Sequence, residues 1–155
     1  MTAPPSPGPM FVPHIDLLLQ SMRITRERLN SRSKVAIDTR LLRSLLTSLA
    51  EQLPFDPEFY LAHNADVAAA YESGEITDLH RHFAQSGFIE GRLGAAPAVD
   101  EPFYAASYKD IGAAIRRGDI ASATEHYVIA GAAEGRIPSE AMRPSIERWA
   151  AVLSD

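Results

Sequence analysis

The side chains that can take part in chemistry occur in matched pairs, each separated by the same distance along the chain. A tyrosine, an aspartate, a histidine and an arginine recur at a spacing of 44 residues. The pairs are Tyr60 and Tyr104, Asp66 and Asp110, His82 and His126, and Arg92 and Arg136. An arginine beside a tyrosine offers a guanidinium fork and an aromatic face to a sugar or a peptide. We therefore predict that these eight residues form a repeated ligand or partner surface.

The same residue types also have a structural interpretation, which the sequence leaves open. A recurring histidine can bond a backbone carbonyl between helices. Each recurring arginine ends a Glu-Gly-Arg triplet, where it can bond the free carbonyls of a helix C-terminus or pair with a carboxylate. The glycine of that triplet indicates a turn with positive φ. Asp66 and Asp110 are also well suited to cap helices.

The histidines and carboxylates do not form a pattern that is typical of a metal site or a catalytic centre. His80 and His82 are two residues apart, and side chains at that spacing do not face each other on a helix. The chain has no cysteine, and it carries no HExxH motif, glycine-rich phosphate loop or nucleophile-and-base pair. We expect no cofactor and no metal, and we predict that the protein is not an enzyme.

The matched pairs belong to a longer internal repeat that organises the chain. Residues 59–92 align without a gap on residues 103–136, and thirteen of the 34 positions are identical. A duplicated structural unit is the natural interpretation. Helix-capping residues, glycines and apolar spacing predict three short helices in each copy, with Gly87 ending the third helix of the first copy. Because no segment alternates with period two, we predict an all-α fold with repeat 1 at 55–98 and repeat 2 at 99–139.

Three further segments flank the repeats. Residues 1–13 are rich in proline and predict a flexible arm, which either stays loose or orders on a partner. Residues 14–54 predict a helical hairpin, with one helix from about Ile15 to Leu29 and another from Asp38 to about Gln52. Residues 140–155 predict a C-terminal helix whose apolar face caps the second repeat.

The second helix of the hairpin has a wide leucine face, and a face this wide packs on more than one neighbour. The face either covers the repeats of its own chain or joins copies of the chain. Two small repeats offer limited area for so many leucines, so we predict self-association through residues 15–53. The central residues of this predicted interface are Leu42, Leu45, Leu46 and Leu49.

Charge is unevenly distributed along the chain, which has a net charge of −5. Residues 1–54 carry seven basic and four acidic side chains, whereas residues 55–155 carry eight basic and sixteen acidic ones. The basic residues of the first segment form a patch that is either a solvated helix face or a surface for an acidic partner, an anionic membrane or another subunit. Its lack of interleaved aromatics argues against nucleic acid. The patch consists of Arg23, Arg26, Arg32, Arg40 and Arg43.

The sequence has no signal that would send the chain to or across a membrane. No apolar run approaches the length that spans a bilayer, and the first residues lack a basic start followed by an apolar stretch. We expect a cytoplasmic or particle-associated protein that meets a membrane only through a partner.

The segments FYLAHNADVAAA…HRHFAQSGFIEGR and ATEHYVIAGAAEGRIPS resemble a bacterial repeat found within or beside large glycosyltransferases and in some surface proteins. The repeat has an aromatic-Tyr-Leu start, then Asn-Pro-Asp-Val-Ala, His-Tyr, Gly and Glu-Gly-Arg, and the resemblance covers residues 55–139. Ala65 and Lys109 replace its usual proline, and Tyr108 replaces its asparagine. No transferase domain accompanies the repeats, so the resemblance implies an accessory or docking role near polysaccharide.

These observations favour a non-catalytic helical interaction or scaffold module that works with bacterial polysaccharide assembly. We expect a protein partner, a homo-oligomer and polysaccharide as a further ligand. The alternative is a carbohydrate-binding structural component of a surface or phage-like particle, anchored by the arm and the leucine helices. A small cytoplasmic enzyme is the third hypothesis.

Overall fold

The computed structural model describes residues 11–154, and over this range the chain is all-helical, as the sequence predicts. No strand occurs among these residues. Most of the predicted proline-rich arm, residues 1–13, lies outside the described residues. The chain divides into two compact units, an N-terminal unit of residues 1–94 and a C-terminal unit of residues 95–155.

The N-terminal unit contains five α-helices, counted over its described residues. The last of these helices, Leu79–His82, continues directly as a π-helical segment, Phe83–Gly87. A 3-10 turn, Glu27–Asn30, separates the first two helices. The bounds are α1 Ile15–Met22, α2 Thr39–Ala50, α3 Pro57–His63, α4 Ala65–Glu72 and α5 Leu79–His82.

The C-terminal unit contains four α-helices over its described residues. Here the helix Ala123–His126 also continues as a π-helical segment, Tyr127–Gly131. A 3-10 turn, Glu140–Met142, precedes the last helix. The bounds are α6 Glu101–Ser107, α7 Lys109–Arg117, α8 Ala123–His126 and α9 Arg143–Leu153.

Local sequence explains where several of these helices begin. The Asp38 side chain accepts a hydrogen bond from Arg40 N and caps α2, as predicted. The Asp56 side chain accepts from Glu58 N at 2.9 Å and caps α3, which has Pro57 in its first turn. An aspartate satisfies backbone amides that have no partner inside the helix, and proline there sacrifices no hydrogen bond.

Each unit has an aromatic core built around a fully buried tyrosine. In the N-terminal unit, Tyr60 packs with Val67, Leu79 and Phe83, and Ala50 of α2 joins the same cluster. In the C-terminal unit, the buried core consists of Tyr104, Ile111 and Ala123. The two cores position the tyrosines and the recurring polar residues that surround them.

One predicted helix end is wrong, and another is confirmed. The first helix ends at Met22 rather than Leu29, because Arg23 adopts a left-handed conformation with φ of 56°. The third helix of the first copy ends at Gly87, as predicted, because the π-helical segment that continues it has its last residue there. Phe88 N donates to Phe83 O across five residues, and a turn follows in which Gly91 has a φ of 82°.

The C-terminal helix also departs from its prediction as a cap on the second repeat. Trp149 and Leu153 of α9 remain 60% and 78% exposed. Within the C-terminal unit, α9 packs chiefly against the 3-10 turn that precedes it. Its predicted apolar face exists, but in this structure it does not cover the core around Tyr104.

Candidate functional site

The recurring tyrosine and histidine meet inside each unit. Tyr60 Oη lies 3.1 Å from His82 Nδ1, and Tyr104 Oη lies 2.9 Å from His126 Nδ1. Both tyrosines are fully buried, and burial raises the pKa of Tyr60 and raises that of Tyr104 to about 12. Each buried hydroxyl thus has a partner, as a buried polar group requires. The histidines bond these hydroxyls rather than the predicted backbone carbonyls.

Gly87 and Gly131 allow the tyrosines to reach that position. A Cβ atom built on Gly87 would lie 2.1 Å from Tyr60 Oη, and one built on Gly131 would lie 2.3 Å from Tyr104 Oη. Both distances are far shorter than a carbon–oxygen contact. The recurring glycine is therefore a point of close approach between the helix backbone and the tyrosine hydroxyl.

Arg92 hydrogen-bonds to three polar residues of the N-terminal unit. Its Nη1 and Nη2 donate to the two carboxylate oxygens of Asp66 at 2.8 and 2.7 Å, and Nη1 also donates to Asn64 Oδ1. Nε donates to Glu90 at 2.8 Å. Hydrogen bonding from Arg92 lowers the pKa of Asp66 to about 2, and bonding to Asp66 and Glu90 raises the pKa of Arg92. The arrangement is a bidentate ion pair with two supporting bonds.

Arg136 occupies the matching position in the C-terminal unit with different neighbours. Its guanidinium donates to Glu134 but lies 3.9 Å from the nearest oxygen of Asp110. The Arg136 Cζ sits 4.6 Å from the ring centre of Tyr108, a cation–π contact. The Tyr108 hydroxyl accepts a hydrogen bond from Ile137 N at 2.7 Å. Bonding to Glu134 raises the pKa of Arg136.

The eight predicted surface residues therefore lie in two clusters, one in each unit. The predicted ligand surface is wrong for the two tyrosines, because their rings are buried and no molecule in solution touches them. Asp66 and Asp110 do not cap helices: α4 and α7 begin at the residue before each aspartate and have no side-chain cap. The two carboxylates remain mostly exposed beside the half-buried arginines. The chemistry of these clusters is that of fold-stabilising hydrogen bonds.

The leucines predicted for self-association divide into two groups. Leu42 and Leu49 are 40% and 50% exposed, whereas Leu45 and Leu46 are half-buried. One side of α2 packs on the π-helical segment of its own unit, and Ala50 and Ala84 are fully buried there. The leucine face thus serves its own unit and also leaves apolar side chains in contact with solvent.

The five arginines of the predicted basic patch do not form one cluster of unpaired side chains. Arg26 is paired with Asp16, and Arg40 is paired with Asp38. Arg43 donates to the backbone carbonyl of Gln85 at 2.9 Å. Arg23 and Arg32 are exposed at helix or turn boundaries. Three of the five arginines therefore have partners within the N-terminal unit.

One feature that the sequence did not predict is an open polar groove of about 480 Å³ between α2 and the π-helical segment of the N-terminal unit. The spacing of the hydroxyl residues on α2, at i, i+3 and i+4, is the signal that could have revealed it. Hydroxyl and amide groups can exchange hydrogen bonds with a polyol. The lining residues are Arg43, Ser44, Thr47, Ser48, Gln85 and Ser86.

The described residues contain no group of three metal-ligating side chains, and none of their helices is long and apolar enough to cross a membrane. In comparisons with known proteins, no family model, curated protein or solved structure matched the chain.

Proposed function

We propose that the chain is a non-catalytic helical interaction module that works with bacterial polysaccharide or its assembly machinery. The observation that carries this proposal is that the recurring polar side chains bond to residues of their own unit. In both units the tyrosine, histidine and arginine hydrogen-bond to other residues of the same unit. A motif repeated for catalysis would leave such groups accessible to a substrate. In a motif repeated for structure, the same groups are engaged in hydrogen bonds within the fold.

In this proposal, residues 14–54 form a helical hairpin and the segments 55–98 and 99–139 are two copies of one three-helix repeat. The same order of elements in both segments supports the duplication: two helices, then a third that continues as a π-helical segment. Each copy also has the same tyrosine–histidine bond and the same close glycine. The association with polysaccharide rests on the resemblance of these repeats to those beside glycosyltransferases.

The partner surface that we assign to this module includes the outer side of α2. Contiguous exposed apolar surface marks sites of protein association. Leu42 and Leu49 lie two turns apart on α2 and are 40% and 50% exposed. The α2 helix carries Arg40 and Arg43 and has no acidic residue, which suits it to an acidic partner such as the C-terminal unit of a second copy.

Light scattering after gel filtration tests this assignment. We expect the full chain to be an oligomer at tens of micromolar, and Leu42→Glu with Leu49→Glu to reduce its mass while circular dichroism stays unchanged. Tyr71→Glu is the matched control, because Tyr71 is also an exposed apolar residue of the N-terminal unit. An unchanged mass in the double variant would show that α2 is not the association surface.

The polar groove favours carbohydrate binding as a second candidate function. Titration calorimetry with neutral and acidic bacterial polysaccharides would detect it. Gln85→Ile is the informative variant, because Ile129 stands at the matching position of the second copy and the change makes one wall of the groove apolar. Equal binding by the wild type and by Gln85→Ile would place any sugar site elsewhere.

A further inference from the structure

The C-terminal helix α9 leaves an apolar stripe exposed to solvent. Met142 just precedes the helix, and Trp149, Val152 and Leu153 follow along one side; all four are exposed. Residues three and four apart share a helix face, so these side chains form one continuous surface. Tryptophan in particular contributes much of the energy of protein interfaces when it is buried.

The C-terminal unit also has a face that its counterpart in the N-terminal unit keeps covered. In the N-terminal unit α2 packs on Phe83–Gly87, where Ala84 is fully buried. The matching residue, Val128, is only half-buried, and its neighbour Ile129 is 74% exposed. Within the described part of the C-terminal unit, no helix packs on Tyr127–Gly131 as α2 packs on Phe83–Gly87.

The chemistry of this open face fits the stripe of α9. In the N-terminal unit, Gln85 stands beside the hydroxyl groups of α2, so both surfaces are polar there. The residue that matches Gln85 is Ile129, and the stripe of α9 is apolar. Glu125 lies one turn before Ile129, and Arg148 is adjacent to Trp149, which adds charge complementarity at the edge of the contact.

The start of α9 is attached to α6 of its own copy. The Arg143 guanidinium bonds Glu140 and lies 5.7 Å from the ring centre of Phe103 on α6. Just before this point the Pro138 carbonyl accepts from Asp100 N at 3.0 Å. These contacts hold the start of α9 at the beginning of α6, and its apolar stripe remains exposed to other molecules.

We propose that α9 of one copy docks on the Val128–Ile129 face of a second copy, and that the second copy returns the same contact. A reciprocal exchange of this kind closes a two-fold dimer in which the same contact is made twice. The predicted cap of the second repeat is then supplied by the partner molecule. This dimer is independent of the α2 surface, and it therefore persists in the Leu42→Glu, Leu49→Glu variant.

Trp149 reports directly on this contact because it is the only tryptophan of the chain. The experiment uses the full chain with Leu42→Glu and Leu49→Glu, diluted from tens of micromolar to tens of nanomolar. We expect dimer mass and blue-shifted emission at the high concentration, and monomer mass with red-shifted emission at the low one. Ile129→Gln, which installs the residue type of the matching position, should weaken the dimer at least tenfold.

A second variant changes the other side of the contact. Val152→Glu with Leu153→Glu keeps Trp149 and should weaken the dimer in the same way, whereas Ile89→Gln, at an exposed position of the N-terminal unit, should leave it intact. Three results would overturn the proposal: a monomer at every concentration, a dimer in which Trp149 emission stays red-shifted, or a blue-shifted emission that neither dilution nor Ile129→Gln alters. The last result would show that α9 packs within its own copy.

Discussion

The two units place an arginine at the same position and hold it by different interactions. Arg92 forms a bidentate pair with Asp66 and is supported by Asn64 and Glu90. Arg136 also bonds to a glutamate, Glu134, but Asp110 lies beyond hydrogen-bond distance and the ring of Tyr108 lies against the guanidinium.

One substitution accounts for much of this difference. Where the N-terminal unit has Asn64, whose amide nitrogen donates to Tyr60 O at 2.7 Å, the C-terminal unit has Tyr108. The larger residue packs on Tyr104 with the two rings tilted by 55° and their centres 4.6 Å apart, and the face of its ring contacts Arg136. A polar network thus holds the arginine in the N-terminal unit, and a cation–π contact holds it in the C-terminal unit. The tyrosine–histidine bond and the close glycine occur in both units.

The largest expected effect tests what the units share. Gly87→Ala and Gly131→Ala each place a Cβ inside the contact distance of a tyrosine hydroxyl. Overpacking of this kind typically costs about 1–3 kcal/mol of unfolding free energy. Urea denaturation measures the loss, and amide hydrogen exchange shows which unit loses protection.

A double variant separates this clash from other effects of the added methyl group. Tyr60→Phe removes the hydroxyl that the new Cβ meets, so Gly87→Ala should cost less in the Tyr60→Phe background than in the wild type. Additive losses would indicate that Gly87 acts through something other than its approach to Tyr60.

The next prediction concerns the turn that ends each third helix. Gly91 and Gly135 have φ of 82° and 67°, which confirms the positive φ predicted from the Glu-Gly-Arg triplet. No atom lies within 4 Å of a Cβ built on either glycine, so only backbone strain opposes substitution. Gly91→Val and Gly135→Val should each cost about 1–2 kcal/mol.

Asparagine provides the control at these turns, because it tolerates the left-handed region better than valine. Gly91→Asn and Gly135→Asn should each retain most of the unfolding free energy measured by urea denaturation. Equal losses for valine and asparagine would contradict an origin in backbone conformation.

The sequence predicted the features that depend on neighbouring residues. The cap at Asp38 and the turn at Gly91 both follow from local backbone chemistry. The all-helical class follows from the same local signals. Such features need no knowledge of what packs against them.

The sequence could not reveal the features that depend on distant contacts. Gly87 is predicted correctly as a helix end, but its close approach to the Tyr60 hydroxyl is not, because a glycine that only ends a helix and one that also admits a distant hydroxyl look alike in sequence. The buried position of Tyr60 depends on a histidine 22 residues away. The exposed stripe of α9 shows the same limit, since periodicity identifies an apolar face but not the surface that covers it.

A smaller effect tests the difference between the two arginines. Arg92→Lys should lower the unfolding free energy by about 0.5–1 kcal/mol, because an ammonium cannot reproduce the bidentate pair and its carboxylate is largely exposed. Arg136→Lys should lower the unfolding free energy by a smaller amount, a few tenths of the loss for Arg92→Lys, since a lysine can still lie over Tyr108. Urea denaturation of the two variants measures both losses. Equal losses would show that the second unit depends on its ion pair as much as the first.

The smallest effect is a pH dependence that belongs to the N-terminal unit. The pKa of Asp66 falls from 3.8 to about 2 because Arg92 hydrogen-bonds its carboxylate. A lowered pKa in the folded state contributes stability at pH values above the unfolded pKa, and that contribution disappears as the pH falls through the folded value. Between about pH 5 and about pH 2, the wild type should therefore lose slightly more stability than Asp66→Asn. Other carboxylates with lowered pKa values, such as Asp38 and Glu101, titrate in both proteins, so the difference between the two urea midpoints isolates Asp66. Midpoints that fall in parallel would show that the Arg92–Asp66 pair does not stabilise the fold.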